Sequence, residues 1–235
     1  KSKLGISQLL VINDYTAIAL SISLLDETQV VKIGGGEAKP QQPISICGPG
    51  TGLGVANLVP YMGDWISLGG EGGHVDFAPV DDTEVKILAY LQTKYSRVSA
   101  EQLLSGLGIE QIYQALCHIS GTAPVFESAA NITNAAVNGD CELCVQTLNQ
   151  FCKSLGSFAG NLSLIMSSFG GVYIAGGIVP RFTEFLAKSD FRNRFEEKGR
   201  FVDFNRQIPT YVITEPQPGI LGACAYLRQY NKEDL

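Results

Sequence analysis

Histidine and tryptophan are scarce in this chain of 235 residues, with two of the first and one of the second. A metal site built on two imidazoles would therefore have to use both His74 and His118. No run of about 18 apolar residues occurs, which excludes a membrane-spanning helix. No secretory leader pattern opens the chain. Of the six cysteines only Cys141 and Cys144 form a C-x-x-C pair, and no second pair completes a zinc site. The pair lies at the start of a long helical pattern and reads as small reduced residues, which fits a cytoplasmic location. Positive charge is short as well: 17 Lys and Arg face 23 Asp and Glu, a net charge of −6. That balance argues against nucleic acid or an anionic membrane as partner. Internal repeats and low-complexity linkers are absent. The start at Lys-Ser-Lys, without methionine and close to an apolar segment, reads as an excerpt or a processed product.

What is present is an ordinary globular composition, 45% hydrophobic and 17% charged with 26 glycines. The length suits one large domain or two smaller ones with a substantial core. "QLLVIND" (Gln8 to Asp14) reads as a strand that feeds the helical "YTAIALSISLL". "PISICGPGTGLGVANLVP" reads as strand, glycine turn and strand, and "WISLGG" as a third strand. Helices are expected in "DDTEVKILAYLQTKY", from Ser99 in "VSAEQLLSG", and in "IEQIYQALCHIS". From about Asp140 to Phe169 a helix is expected to bury Cys144, Leu148, Phe151, Leu155, Phe158, Leu162, Ile165 and Phe169, spaced by three and four. "GVYIAGGI" and "PTYVITEP" read as strands, "PRFTEFLAKS" as a helix opened by Pro180, and "GILGACAYLRQY" as a last helix. Strands alternating with helices indicate an α/β protein.

Several stretches carry side chains suited to chemistry. Asn13 and Asp14 lie at a strand-to-helix junction, where α/β folds collect ligands. Asp14 could act as a base and Asn13 could bind a hydroxyl; a helix N-cap is the competing role. "GPGTGLG" (Gly48 to Gly54) offers backbone N–H groups and the Thr51 hydroxyl to an anion. It lacks the lysine and following helix of a Walker A loop, and a tight hairpin turn is equally compatible. In "SLGGEGGHVDFAP", Glu71 and His74 could accept from and donate to vicinal hydroxyls. His74, Asp76 and His118 together have the composition of a two-histidine, one-carboxylate iron site. The Ala175–Arg181 segment, "AGGIVPR", puts a glycine pair at a strand end, suited to a base or ribose lying on bare backbone. Glu101, in a first helical turn, reads by itself as a dipole partner.

Taken in order, "VINDYTA", "GPGTGLGVA", "GEGGHVDFAP", "VSAEQLLSG", "GGVYIAGGIVPRF" and "PGILGACAYL" resemble bacterial ATP-dependent glucokinases of the sugar kinase/Hsp70/actin superfamily. The likeness runs over nearly the whole chain. It implies a ribonuclease H-like (actin/hexokinase-type) large α/β domain over 25–214, with parts of a smaller α/β domain at 1–24 and 215–235. It implies Asp14 as the base that takes the proton of a glucose 6-hydroxyl. Asn13, Glu71, His74 and Glu101, with Asp14, would hold the sugar. Gly50, Thr51 and Gly52 would lie nearest the nucleotide phosphates, and Gly176 and Gly177 would form the adenosine motif. ATP and Mg²⁺ are the implied cofactors, with no metal ligand assigned. Glucose and ATP are the implied small-molecule partners, and a homodimer the expected assembly. The Asp-x-Gly-Gly-Thr-Asn phosphate motif that opens the family is absent from these residues, so the chain alone is expected to turn over weakly or not at all. The cysteine-rich zinc motif of the repressor/kinase (ROK) group is absent too. A kinase for another hexose and a sugar-binding sensor without catalysis are the alternatives.

Overall fold

In a computed structural model, residue 5 and residues 9–233 are described. Six strands form one sheet: β1 (Val30–Gly34), β2 (Ile44–Pro49), β3 (Leu53–Tyr61), β4 (Asp64–Gly70), β5 (Gly171–Ile174) and β6 (Thr210–Ile213). Their order across the sheet is β1-β6-β5-β2-β3-β4. β2, β3 and β4 form an antiparallel meander, β5 pairs parallel with both β2 and β6, and β1 adds antiparallel at the far edge. The helices are α1 (Asp14–Ser21), α2 (Asp82–Gln92), α3 (Gly106–Ser120), α4 (Ala129–Asn138), α5 (Glu142–Met166), α6 (Thr183–Lys188), α7 (Phe191–Glu196), α8 (Val202–Arg206) and α9 (Pro218–Glu233). This is the mixed α/β, actin/hexokinase-type arrangement that the motifs imply.

Side chains alternate across a strand, so each face of the sheet has its own core. Cys47, Leu53, Val55, Val172, Ile174 and Val212 point to one face and join buried residues of α2, α3, α4, α5 and α7. Ile44, Ile46, Ala56, Leu58 and Ile213 point to the other and meet Ala19 and Leu20 of α1 and Ala225 of α9. The central helix, α5, buries Cys144, Leu148, Phe151, Leu155, Phe158 and Leu162 as the spacing predicts. Ile165 departs from the pattern at 75% exposure. Its turn lines an open apolar hollow between α5 and the β3–β4 end of the sheet, beside Leu68 and Leu162. The helix ends at Met166, so Phe169 lies beyond it and packs edge-on against Phe204. Cys141 and Cys144 are free thiols at the start of α5, as are the other four cysteines.

Two further expectations are corrected. The strand over "QLLVIND" is not formed by residues 9–13, and Gln8 lies outside the described residues. A strand needs a ladder, and nothing described pairs with this segment; Val11 is 87% exposed. At Ser99 no full helix starts, only a single 3-10 turn over Ala100–Gln102. The "PRFTEFLAKS" helix likewise begins as a 3-10 turn, Val179–Phe182, before α6. No described helix is long and apolar enough to cross a membrane.

Candidate active site

The ends of β2, β3 and β4 meet the first turn of α1 around a cleft of about 460 Å³. Residues from five separate stretches line it: Asn13 and Asp14; Gly50, Thr51 and Gly52; Gly70 and Glu71; Glu101; and Gly176. Most of the residues singled out in the sequence thus converge on one space. His74 is not in its wall. Its Nδ1 lies 3.9 Å from Glu101 Oε1, an approach too long for a hydrogen bond. Gly177 is not in the wall either; it follows Gly176 at the strand end, and no atom crowds the position its side chain would take.

Asn13 is the N-cap of α1. Its Oδ1 accepts from Tyr15 N at 2.9 Å and Thr16 N at 3.1 Å, which leaves the amide N–H groups as its remaining side-chain donors. The capping role weighed from sequence is therefore filled, and a hydroxyl ligand could take only the remaining donors. Asp14 opens the helix exposed, with Oδ1 accepting from Tyr15 N at 2.8 Å.

Tyr15 explains part of the glycine loop. A methyl group on Gly48 would overlap its hydroxyl, and one on Gly54 would overlap its ring. Those two glycines admit a tyrosine, not a phosphate, and the ring in turn packs the start of α1 against β2 and β3. Gly50 is different, with nothing closer than 4.0 Å to where its side chain would be. The turn is held by Gly50 N donating to Gly52 O at 2.8 Å and Gly106 N donating to Gly50 O at 2.9 Å. Among the described residues no acceptor takes the N–H of Thr51 or Gly52. Unused amides at a glycine turn form a concavity suited to an anion.

The Tyr15 hydroxyl is buried without a hydrogen-bond partner. Burial pushes its phenol well above the ordinary range, with the Cys47 thiol and Asp14 adding smaller effects in the same direction. An orphaned buried hydroxyl costs stability. Tyr15→Phe is therefore expected to melt at the same temperature or higher, with a gain of up to about 1 kcal/mol. A loss larger than that in calorimetric melting would mean that the hydroxyl has a partner.

Beside the glycine turn lies a second cavity of about 480 Å³, lined by Gly106, Ile109, Thr133, Asn134, Ile178 and Arg181 among others. It joins the start of α3, one face of α4 and the segment after the Gly176-Gly177 pair. The sequence reading overlooked α4, although its punctuation is present: Ser128 caps it, accepting from Asn131 N at 3.3 Å, and Gly139 ends it at φ 76°. The iron alternative does not assemble. Asp76 pairs with Arg97 at 2.7 Å and His118 stacks on Tyr90 at 5.1 Å. Among the described residues no three His, Cys, Asp or Glu side chains converge to hold a metal.

This six-stranded mixed sheet, with a glycine turn and a carboxylate-bearing helix start at one end, is the actin/hexokinase-type fold of sugar kinases. The crystal structure of a glucokinase from an Antarctic psychrotroph superposes with a TM-score of 0.91 at 40% identity, covering 97% of this chain and 71% of that one. A ROK family glucokinase from Streptomyces griseus, in complex with glucose and AMPPNP, shares the fold at a TM-score of 0.63 and 17% identity, covering 97% of this chain and 70% of that one. The glucokinase family profile matches residues 1–230. The glucokinase of Colwellia psychrerythraea strain 34H is 59% identical over 234 residues, 97% of this chain and 71% of that protein. The chain belongs to the glucokinase family of ATP-dependent hexose kinases.

Proposed function

We propose that this cleft transfers the γ-phosphate of ATP to the 6-hydroxyl of D-glucose, giving glucose 6-phosphate and ADP. The observation that carries the reading is the convergence of Asp14, Glu71 and Glu101 with the free amides of Thr51 and Gly52 around one space. Asp14 takes the proton from the 6-hydroxyl as its oxygen attacks phosphorus. Asn13, Glu71, His74 and Glu101 hold the remaining hydroxyls. The Gly50–Thr51–Gly52 turn receives phosphate oxygens, and the base and ribose lie over Gly176 and Gly177, toward the cavity of Asn134 and Arg181. Phosphoryl transfer of this kind rests on positioning and charge stabilisation rather than on covalent steps. In this reading residues 1–24 and 215–235 belong to a smaller domain, and residues 25–214 form the larger one.

Magnesium commonly reaches such sites bound to nucleotide phosphates and one or two carboxylates. Among the described residues no group of three His, Cys, Asp or Glu side chains could hold such an ion by itself.

His74→Ala and Glu71→Ala are each expected to weaken glucose binding by about 1–3 kcal/mol, the cost of leaving a buried hydroxyl without its partner. ATP binding should change far less. Isothermal titration with each ligand decides. Equal losses for both ligands would assign these side chains to folding and contradict the sugar site.

A further inference from the structure

Glu101 is 48 residues from the glycine turn in sequence, yet its Oε2 accepts from Leu53 N at 2.9 Å. A methyl group on Gly52 would lie 2.5 Å from that same oxygen, so the absence of a side chain at Gly52 is what lets the carboxylate close on the turn. The other oxygen, Oε1, is not engaged by Leu53 and lies 3.9 Å from His74 Nδ1, beyond hydrogen-bond reach. The backbone that carries Glu101 is firmly seated. Ala100 N donates to Val75 O at 2.9 Å, Gln102 Oε1 accepts from Ser99 N at 2.9 Å, and Gln111 Nε2 donates to Gln102 O at 3.0 Å.

The geometry points to Glu101 as a positioning residue for the phosphate turn, in addition to its place beside the sugar. Its Oε2 draws in the Leu53 N–H, so the amides left for phosphate are those of Thr51 and Gly52. Hydrogen bonds to an ionised acceptor are roughly twice as strong as neutral ones. Without this one, the turn keeps only its internal bond and the tie to Gly106. A sugar hydroxyl donating to Oε1 would fix the plane of the carboxylate, and with it the turn. This inference rests on the assignment of the cleft to glucose and nucleotide made above.

The test uses this chain and three variants: Glu101→Ala, Glu101→Gln and His74→Ala. Two quantities are read: exchange of the Leu53 amide by nuclear magnetic resonance, and the affinity for ADP by titration calorimetry. In Glu101→Ala the Leu53 amide is expected to exchange at least about 10-fold faster, as a local opening equilibrium shifts, and ADP to bind at least about 5-fold more weakly. Glu101→Gln keeps a side-chain oxygen that can accept from Leu53 N. With a neutral acceptor in place of an ionised one, both quantities should fall between those of wild type and Glu101→Ala. His74→Ala should leave ADP affinity within about 2-fold of wild type, although it weakens glucose binding. The inference is overturned if Glu101→Ala leaves exchange and ADP affinity unchanged. It is equally overturned if Glu101→Gln falls as far as Glu101→Ala, or if His74→Ala weakens ADP equally. A folded wild-type chain that binds neither glucose nor ADP would remove the proposed function, while the Leu53 exchange would still decide whether Glu101 holds the turn.

Discussion

Asp14→Asn is expected to lower kcat by at least about 100-fold and to leave glucose affinity nearly intact. The enzyme for this measurement is the chain joined to a segment that bears the Asp-x-Gly-Gly-Thr-Asn phosphate motif. Asparagine fills the same space, and its side-chain oxygen can still accept from Tyr15 N, as Asp14 Oδ1 does at 2.8 Å. The start of α1 should therefore be unchanged, and Asn13 should continue to cap it. What the amide lacks is the capacity to take a proton from the 6-hydroxyl as the oxygen becomes nucleophilic. A general base contributes typically about 10²–10⁴-fold. Steady-state kinetics that retain more than about a tenth of the wild-type kcat would rule out this role for Asp14.

The largest stability effect is expected at a site away from the cleft. Glu84 of α2 is fully buried, yet every direction around its carboxylate holds a donor. Arg194 Nη2 lies at 2.8 Å, Val80 N at 2.8 Å, Gln150 Nε2 at 2.9 Å and Ser154 Oγ at 3.0 Å. The same arginine, itself only 6% exposed, also donates to Asp81 Oδ2 at 3.0 Å. The network ties α2 to α5 and α7. Arg194→Ala would leave a buried carboxylate without its counter-charge, a loss of about 3–5 kcal/mol. For a chain of this size each kcal/mol lowers Tm by roughly 2–4 °C. Replacing Glu84 and Arg194 together with apolar residues of similar volume should cost less than Arg194→Ala alone, because no orphaned charge remains. Urea denaturation of the three proteins tests this. A single-variant loss below about 1 kcal/mol would mean that solvent reaches Glu84 and relieves it.

Local patterns were legible in the sequence, and long-range contacts were not. The hairpin of β2 and β3 and the helix α5 follow from alternation and from three-four spacing, which any window of the chain displays. Ile165 fits the helical spacing yet is exposed, because spacing records the face of a helix and not whether the space opposite it is filled. The expected strand before Asp14 fails for a similar reason: β-forming residues state a preference, and pairing requires a neighbour. Within the site, Glu71 stood out by residue type and its glycine neighbours, whereas Asp14 and Glu101 gained their roles from the resemblance of their motifs to glucokinases. The uses of the individual glycines were hidden. Gly48 and Gly54 answer to Tyr15, and Gly52 answers to Glu101, across separations of 33 to 49 residues that no local pattern encodes. Asn13 was open to either role in sequence. The structure spends its carbonyl oxygen on the cap and leaves its amide.

The central claim is that this cleft phosphorylates glucose, and a coupled assay of ATP with glucose, mannose, galactose and N-acetylglucosamine tests it most directly. Two proteins are compared: this chain alone, and the chain joined to the phosphate-motif segment. The account predicts glucose 6-phosphate from the joined protein at a rate in the range of kinases, roughly 1–100 s⁻¹, with glucose the preferred hexose. It predicts little or no turnover by this chain alone, because no Asp-x-Gly-Gly-Thr-Asn motif occurs in its 235 residues. A joined protein that is folded and binds glucose but forms no sugar phosphate would mark a sugar-binding sensor instead. Turnover by this chain alone at the full rate would contradict the assignment of the cleft.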